Sequence, residues 1–367
     1  MNYKVNNIQL FDLSTSTNIN KKYVAGVKKI INNNDFILGE EVTKFENNFT
    51  KFIGSKYSIG LNSGTDSLEI ALRLLNIGEG DEVIVPSFSF FATSETVLKV
   101  GAQPIYCDIN LNDLTLDTNK LMSLITTKTK AIIPVHLFGN ACDMNSIKNI
   151  IGLESIKIIE DVAQAFGSKY NNSYLGTIGE FGCFSFYPTK NLGAWGDGGL
   201  ISFNLKKYLK DVKSLRNHGA TKRYYHEKIG LNSRLDTTQA LILNIKLQEF
   251  KKNIEKRKKN VLKYSNKLNQ EVFNMHFQNF QPLNVVPVSV KNQKILQKVK
   301  SNLEKYKISY GSYYPYGLHE FPVSKLVQKN DTFDNTDMIK KRIITLPCHP
   351  SLTNLQIEKI INILNLI

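Results

Sequence analysis

The stretch GEGDEVIVPSFSFFATSETVLKV, residues Gly78 to Val100, contains the pattern that decides the fold. It begins with turn-like residues, Gly78 to Asp81, continues with the apolar run Glu82 to Pro86, and ends with the helix-like segment Ala92 to Val100. Glycine-rich dipeptides mark turns, and a short apolar run next to such a turn is typical of a buried strand. The stretch therefore predicts one strand followed by one helix.

The same alternation of short apolar runs and helix-like segments continues from about Phe36 to about Phe203. Strands that alternate with helices are typical of a mostly parallel sheet covered on both faces, and such sheets bind ligands at the carboxyl ends of their strands. We therefore predict an α/β fold. The other strand candidates are Pro104 to Cys107, Lys130 to Val135 and Lys157 to Asp161, and the other helix candidates are Asp66 to Leu75, Thr118 to Ile125 and Met144 to Ile151.

The pattern changes after about Asp236. A long helical stretch is followed there by short strand candidates and a last helix, which predicts a second, smaller α+β domain. We assign residues 1–245, including the N-terminal segment, to the large domain and residues 246–367 to the small one. The elements predicted after the change are a helix from Thr237 to about Asn269, strands at Asn284 to Val290 and Ile343 to Leu346, and a helix from Asn354 to Leu366.

Composition indicates a globular protein and excludes several classes. Of the 367 residues, 42% are hydrophobic and 22% are charged, which is ordinary for a soluble domain. The longest apolar runs, such as Ala131 to Val135, are too short to span a bilayer, and the first residues lack the apolar region of a secretory signal. We therefore expect a cytoplasmic protein with no membrane partner. The four cysteines are scattered without zinc-like spacing, so we expect no metal.

The chain is basic, with 47 Lys+Arg against 32 Asp+Glu and a net charge of +15. Such a balance favours polyanions, which include nucleic acid, anionic membranes and small phosphorylated substrates. The densest cluster, Lys251 to Lys259, lies within a helical apolar pattern and is typical of a solvated helix face. Aromatic residues are not interleaved with the basic ones as they are in a single-strand binding groove, so we expect no nucleic-acid partner.

The segment LNSGTDSL, Leu61 to Leu68, places small residues at the start of an apolar helix. Asp66 and Glu69 are spaced like a capping pair. Backbone N–H groups at such a helix start, with Gly64 allowing close approach, can bind an anion such as a phosphate. Ordinary helix caps have the same composition, so this motif alone leaves both interpretations open.

Two charged residues follow apolar runs that read as buried strands. Asp161 needs a cation or several hydrogen-bond donors there. A structural arginine is one candidate and the protonated nitrogen of a bound ring is another; at about 4 Å and an effective dielectric of about 20, such an ion pair attracts by roughly 4 kcal/mol. Lys190 follows the run Phe181 to Phe186 and precedes several glycines, so it is either a surface lysine in a turn or a desolvated one with the lowered pKa of a Schiff-base lysine. An anion site, a strand-end acid and such a lysine together match pyridoxal 5′-phosphate.

Seven ordered motifs between about Phe36 and about Thr353 resemble the DegT/DnrJ/EryC1/StrS family of nucleotide-sugar aminotransferases. The resemblance implies the aspartate-aminotransferase-like fold (fold type I), with a mostly parallel seven-stranded sheet flanked by helices and a smaller C-terminal α+β domain. The motifs are SGTDSL, VPSFSFFATSE, IIPVHLFGNACDM, IIEDVAQAFGS, SFYPTKNLGAWGDGG, GLNSRLDTTQA and TLPCHPSLT.

The resemblance also implies roles for individual residues. Lys190 would hold pyridoxal 5′-phosphate as an internal aldimine and carry the proton during the reaction. Asp161 would hold the pyridine nitrogen, and Gln164 would reach the ring hydroxyl. The chain departs from the family at Phe166, where many members carry His, which leaves the nearby pocket wall less well defined.

Further implied residues contact the phosphate, the ring and the substrate. The family is implied to form a homodimer with shared sites, in which a residue of one subunit reaches the cofactor phosphate of the other. Plain packing is the alternative for the substrate candidates. The phosphate residues are Gly64, Thr65 and Ser185, the stacking residue is Phe90, and the residue that reaches the neighbouring subunit is Asn232. The substrate candidates are Tyr187, next to the lysine motif, and Tyr316 and His319, in a small-domain loop that also holds Tyr313 and Tyr314.

The implied reaction transfers an amino group from L-glutamate to the ketone of a nucleotide-diphospho-sugar. Related dehydratases carry His at the lysine position, so Lys190 favours amino transfer. The segment Gly230 to Asp236 resembles members that act on 3-keto sugars, so we favour C3, with C4 as the alternative. Both dTDP-6-deoxyhexoses and UDP-linked 2-acetamido sugars fit the loop Arg216 to Gly230, and either substrate would serve lipopolysaccharide or other surface-glycan biosynthesis.

Two other classes of function fit the sequence less well than an aminotransferase. A non-catalytic regulatory homologue would bind DNA through its positive charge, but it would not need the set of Lys190, Asp161 and Gln164. A nicotinamide-dependent oxidoreductase is disfavoured because Gly78-Glu79-Gly80 precedes a strand and lacks the third glycine of the dinucleotide motif.

Overall fold

The computed structural model describes residues 7–152, 155–278, 281–324 and 332–367. None of the described helices is long and apolar enough to cross a membrane. The helices are α1 (Thr17–Asn33), α2 (Glu40–Ile53), α3 (Gly64–Leu74), α4 (Ala92–Lys99), α5 (Thr118–Leu121), α6 (Met144–Ile151), α7 (Leu209–Leu215), α8 (Thr237–Leu247), α9 (Phe250–Lys267), α10 (Gln293–Lys305), α11 (Asp334–Ile339) and α12 (Asn354–Leu364). The strands are β1 (Tyr57–Leu61), β2 (Glu82–Pro86), β3 (Gln103–Cys107), β4 (Thr129–Ile132), β5 (Lys157–Asp161), β6 (Lys169–Tyr170), β7 (Ser173–Tyr174), β8 (Phe181–Ser185), β9 (Gly199–Phe203), β10 (Ala220–Lys222), β11 (Tyr225–His226), β12 (Phe273–Met275), β13 (Val286–Val290) and β14 (Ile343–Leu346).

Seven strands form one sheet in the order β1-β9-β8-β5-β4-β2-β3. Only β9 runs against the others, since it pairs antiparallel with both β1 and β8, and the remaining pairs are parallel. Helices cover the sheet on both faces, as the side chains of β2 show: Val83 and Val85 pack in one buried cluster and Ile84 in another. The predicted α/β fold with a mostly parallel, seven-stranded sheet is confirmed.

The segments predicted to bind a ligand follow four strands of this sheet. Gly64 comes after β1, Phe90 after β2, Gln164 after β5 and Lys190 after β8. These four strands run in the same direction, so their carboxyl ends meet at one edge of the sheet, which is where ligands of such sheets bind. The strand order thus brings together residues that are more than a hundred positions apart in the chain.

A second sheet, β12-β13-β14, is antiparallel and packs with α9, α10 and α12 around its own buried cluster. Ile8 joins this cluster and forms a parallel bridge with Ile308. The N-terminal segment therefore contacts the small-domain core, although the sequence assigned it to the large domain. The division at residues 245 and 246 stays a prediction.

The long helix predicted from Thr237 to Asn269 is wrong in one respect, because it consists of two helices. α8 ends at Leu247 and α9 begins at Phe250. Most of α8 is buried on all sides, whereas α9 buries one face and exposes its lysines. Between them Glu249 has φ −99° and ψ 1°, which is outside the helical range and breaks the helix. A smaller difference is that α5 ends at Leu121, and a 3-10 turn, Met122–Leu124, completes the predicted helix.

Glu160 fixes the loop beside the carboxyl end of β5. It is fully buried, and its carboxylate accepts 2.7 Å hydrogen bonds from the backbone N–H groups of Gly176, Ile178 and Gly179. His136, also fully buried, lies 3.1 Å from the same carboxylate. The neighbouring residue, Asp161, is thus held on a strand whose end cannot move independently.

Glu160→Ala should destabilise the protein strongly. The change leaves three backbone donors and one imidazole without their acceptor, and we expect a loss of about 3 kcal/mol or more in the free energy of unfolding. Urea denaturation of the variant measures the loss. Glu82→Ala, which removes a single hydrogen bond from Thr126 near the surface, is the matched control and should change stability by about 0.5 kcal/mol or less. Equal losses in the two variants would contradict this assignment.

Candidate active site

A cavity of about 730 Å³ opens at the carboxyl edge of the large sheet. Two segments of the small domain, residues 284–285 and 312–315, complete its wall. Most of the site residues predicted from the sequence line this one cavity. They are Gly64, Thr65, Phe90, Asp161, Gln164, Ser185, Tyr187 and Lys190.

Asp161 ends β5 and is only 6% exposed. Its carboxylate accepts hydrogen bonds from the Ala163 backbone N–H and the Thr93 hydroxyl, each at 3.1 Å. Burial raises the pKa of Asp161, and these donors together with the charge of Lys190 oppose the rise. Among the described residues, no arginine binds this carboxylate, so the structural arginine considered as a partner is not found. A carboxylate in this position is suited to holding a cation that enters the cavity.

Gln164 lies on the turn after β5, with its side chain held at both ends. Its Oε1 accepts a hydrogen bond from the Phe138 backbone N–H at 2.9 Å, and its Nε2 donates to the Tyr314 hydroxyl at 2.7 Å. An amide nitrogen carries two hydrogens, so one of them is available for a second acceptor. Gln164 can therefore donate to a ligand hydroxyl without leaving Tyr314.

Lys190 lies on a tight turn, Tyr187–Asn191, which we call the lysine turn. Its backbone N–H donates to the Tyr187 carbonyl at 2.8 Å. The segment that follows must pass close by, because a Cβ at Gly193 would lie 2.2 Å from the Pro188 carbonyl oxygen. Only glycine fits there, which accounts for the first of the small residues after the lysine.

Desolvation lowers the pKa of Lys190, and the charge of Asp161 opposes this shift. An amine with a lowered pKa is neutral over more of the physiological range, and a neutral amine is the form that attacks an aldehyde. The lysine turn therefore presents to the cavity a lysine whose pKa is lowered by desolvation, within the electrostatic reach of a buried carboxylate.

The start of α3 forms the opposite wall. Ser63 caps this helix, with its hydroxyl accepting a hydrogen bond from the Asp66 backbone N–H at 3.0 Å. The predicted capping pair is wrong, because Glu69 is buried and pairs instead with Arg73 and Lys99. A Cβ at Gly64 would lie 2.8 Å from the Ser185 Cβ. The small residue at this position lets the helix start approach β8, with its backbone N–H groups at the cavity.

These residues fit pyridoxal 5′-phosphate. A buried carboxylate suits a protonated pyridine nitrogen, an amide donor suits the ring hydroxyl, and a neutral amine suits the aldehyde. The start of the eleven-residue helix α3 suits the phosphate because the first N–H groups of a helix have no carbonyl partner within it, although that of Asp66 donates to the Ser63 hydroxyl. Phe90, 59% exposed at the cavity wall, can cover a ring.

Three predicted residues do not line the cavity. Asn232 is exposed and forms a backbone bridge with Asn217. Tyr316 is 58% exposed and packs against Phe321. His319 stacks on Phe333 with ring centroids 4.1 Å apart. The side chains of Tyr316 and His319 thus pack against neighbouring aromatic rings, which was the alternative to a substrate role. Their substrate role stays a prediction.

Phe166, the departure from the family, lies away from the cavity. It is 4% exposed and stacks on Phe49 and Phe250, with ring centroids 4.8 and 4.5 Å away. Its carbonyl accepts a hydrogen bond from Asn191. The residue is part of an aromatic cluster next to the lysine turn, and its side chain does not line the cavity.

The cavity also contains residues that sequence analysis missed. Thr93 was part of a quoted motif, but nothing marked its hydroxyl as a partner of Asp161. Asn284 comes from a strand candidate of the small domain, and no local pattern relates it to Lys190. Phe11 and Asp197 likewise carried no signal. All four line the cavity or bind a residue that does.

His319, Glu320 and Asp337 place one ligand atom each within 4.8 Å of one another, which could suit a metal ion. The ammonium group of Lys340 binds both carboxylates, however, at 2.7 and 2.6 Å. A cation therefore already occupies this cluster, and it is a salt-bridge network.

Comparisons with known proteins agree with this geometry. Residues 17–365 match the model of the DegT/DnrJ/EryC1/StrS aminotransferase family. The chain is 35% identical, over 352 residues, to the UDP-2-acetamido-2-deoxy-3-oxo-D-glucuronate aminotransferase of Pseudomonas aeruginosa, and the match covers 96% of this chain and 98% of that protein.

Solved structures show the same similarity. DesV of Streptomyces venezuelae, solved in complex with a ketimine intermediate, superimposes with a TM-score of 0.92 and 29% identity over 97% of both chains. NtdA of Bacillus subtilis, solved with the bound cofactor PMP, superimposes with a TM-score of 0.89 and 26% identity, covering 95% of this chain and 82% of that one.

Asp161→Asn should lower the pKa of Lys190 further. The Asp161 charge raises that pKa against desolvation, so its removal leaves desolvation unopposed. Lys190 should then react with an aldehyde at lower pH than in the unchanged protein. The cofactor-free protein is reductively methylated with formaldehyde over a pH series. Mass spectrometry of the peptide containing Lys190 then gives the midpoint of the pH dependence of Lys190 modification.

Asp197→Asn is the matched control, since it removes a carboxylate from the same cavity that is not among the groups shifting the Lys190 pKa. Its midpoint should equal that of the unchanged protein. An unchanged or higher midpoint in Asp161→Asn would refute the proposed coupling between the two residues.

Proposed function

This chain belongs to the DegT/DnrJ/EryC1/StrS aminotransferase family, and from that premise we propose that it transfers an amino group from L-glutamate to the C3 ketone of a nucleotide-diphospho-sugar. The family and the similarity to solved aminotransferases make it a pyridoxal-phosphate-dependent transaminase. The observation that supports the proposal most strongly is the meeting of Lys190, Asp161 and the start of α3 in one cavity.

Pyridoxal phosphate supplies the reaction with an electron sink that stabilises negative charge on the carbon bearing the amine. Lys190 is the proposed attachment point and proton carrier. Its Nζ accepts the proton from the amine-bearing carbon of the donor in one half-reaction, and it delivers a proton to the sugar carbon in the other. Desolvation lowers the pKa of Lys190, which makes the neutral, proton-accepting amine easier to form.

The other cavity residues would hold and orient the cofactor. We assign Asp161 to the pyridine nitrogen, which its charge keeps protonated, and Gln164 to the ring hydroxyl. Gly64, Thr65 and Ser185 would hold the phosphate, and Phe90 would cover the ring; all four line the cavity. Because Thr93, Ala163 and Phe138 fix the side chains of Asp161 and Gln164 beforehand, little reorganisation is needed when the reaction begins.

Two observations support C3 as the site of amino transfer. The segment Gly230 to Asp236 resembles members acting on 3-keto sugars, and the name of the Pseudomonas aeruginosa relative specifies a 3-oxo sugar. The identity of the nucleotide follows from neither observation, since the basic loop suits UDP and dTDP equally. The C4 alternative is an outcome of the experiment below.

The proposed active site includes residues of a second copy of the chain. Lys190 is the only cationic side chain in the described wall of the cavity, yet the cofactor phosphate and the substrate diphosphate are both anionic. The hairpin formed by β10 and β11 is exposed and contains Lys222, Arg223 and His226. We propose that in a homodimer this hairpin and Asn232 complete the site of the other subunit. A cytoplasmic location stays a prediction.

The purified enzyme, supplied with glutamate, should convert a 3-keto nucleotide sugar to its amino sugar. A panel of 3-keto and 4-keto sugars linked to UDP and dTDP, analysed by mass spectrometry, identifies the substrate. Lys190→Ala is the control: we expect no visible absorption from bound cofactor and a loss of turnover of about 10³-fold or more. Turnover of 4-keto sugars alone would overturn the C3 assignment, and full turnover by Lys190→Ala would overturn the mechanism.

A further inference from the structure

Both neighbours of Lys190 contact the same short segment of the small domain. This segment, Pro282–Val285, precedes β13 and is called here the bridging segment. The Pro282 carbonyl accepts a hydrogen bond from Asn191 Nδ2 at 2.9 Å. Asn284 Nδ2 donates to the Thr189 carbonyl at 3.0 Å and to Asn191 Oδ1 at 3.2 Å. The lysine turn is thereby attached to the bridging segment on each side of the lysine.

The bridging segment also sets the position of Gln164. The Asn284 backbone N–H donates to the Phe138 carbonyl at 2.8 Å, and the Phe138 backbone N–H donates to Gln164 Oε1 at 2.9 Å. The contact is close, since a Cβ at Gly139 would lie 3.0 Å from the Leu283 Cα. One residue, Asn284, thus connects Lys190 through its side chain and Gln164 through its backbone.

A buried arginine fixes the bridging segment from behind. Arg257 of α9 is 6% exposed, and its Nη1 lies 3.1 Å from the carbonyl oxygens of both Leu283 and Asn284. Its Nη1 also lies 3.4 Å from the Cys348 carbonyl. A charged donor shared among backbone carbonyls forms stronger hydrogen bonds than a neutral one. The bridging segment therefore has a rigid support on the side opposite the cavity.

We propose that Asn284 is a positioning residue for the reaction, which holds the lysine turn and the Gln164 side chain at a fixed distance from each other. Asn284 is 6% exposed and lines the cavity. It does not carry the proton itself, which is the role proposed for Lys190. The inference rests on the proposed function, because it concerns the lysine that carries the proton. Through Asn284, the small domain thus supports the lysine turn.

The alternative is that Asn284 only stabilises the fold. The chain offers a matched control in Asn260, another asparagine of the small domain, which is 5% exposed and donates to the His349 carbonyl at 3.1 Å. Asn260 contacts neither the lysine turn nor the bridging segment through this bond. Asn284→Ala and Asn260→Ala each remove a buried amide, so a purely structural role predicts that both variants lose stability and that neither changes the cofactor's pH midpoint or kcat.

The experiment compares the two variants as holoenzymes. The measurements are the melting temperature, the pH midpoint of the visible absorption of the bound cofactor, and kcat and KM for glutamate. We expect both variants to lose similar thermal stability. Only Asn284→Ala should shift the pH midpoint, by about one unit, and lower kcat about 10- to 100-fold, since small displacements of a catalytic group cost this much. KM should change less than kcat.

Asn191→Ala removes the same attachment from the large-domain side and provides a second variant if Asn284→Ala does not accumulate. The double variant should show less than the sum of the two single effects, because both substitutions break one set of contacts. An Asn284→Ala or Asn191→Ala holoenzyme with the midpoint and kcat of the unchanged protein would overturn the proposal. Absence of visible absorption in the unchanged protein would overturn the proposed function, and this inference with it.

Discussion

The buried carboxylate of Asp161 is the constraint on which the site depends. It lies at the end of a central strand, and the described chain supplies it with one hydroxyl and one backbone donor but no arginine. A carboxylate so placed stabilises a cation that enters the cavity. The parallel sheet determines where this happens, since Gly64, Phe90 and Lys190 follow strands that end at the same edge.

The large sheet alone does not form the site. Tyr314 holds Gln164 from the small domain, and Asn284 holds the backbone beside Lys190. These contacts fix the backbone beside the desolvated lysine and the amide that follows the buried acid. The contacts made by Tyr314 and Asn284 at the junction of the two sheets thus both stabilise the fold and position the site.

Contiguous patterns predicted the sheet and marked Gly64, Asp161 and Lys190 as candidates, because neighbouring residues carry each signal. Their individual roles came from the family resemblance and stay predictions. The break between α8 and α9 could not be predicted, since the sequences of both helices have helical periodicity. The two helices differ only in how deeply the folded protein buries them. Asn284 was missed for a similar reason: its partner, Thr189, is remote in the chain. Glu69 was read as a capping residue, although its charge is neutralised by Arg73 and by Lys99 of the next helix.

The most direct test of the account is the protonation state of the cofactor ring in the holoenzyme. The ¹⁵N chemical shift of ring-labelled pyridoxal 5′-phosphate reports whether the pyridine nitrogen carries a proton. If Asp161 binds this nitrogen, the shift should be that of a pyridinium throughout the stable pH range, and Asp161→Ala should convert it to that of a neutral pyridine. A nitrogen that titrates as in free solution, or one unaffected by loss of Asp161, would contradict the central claim.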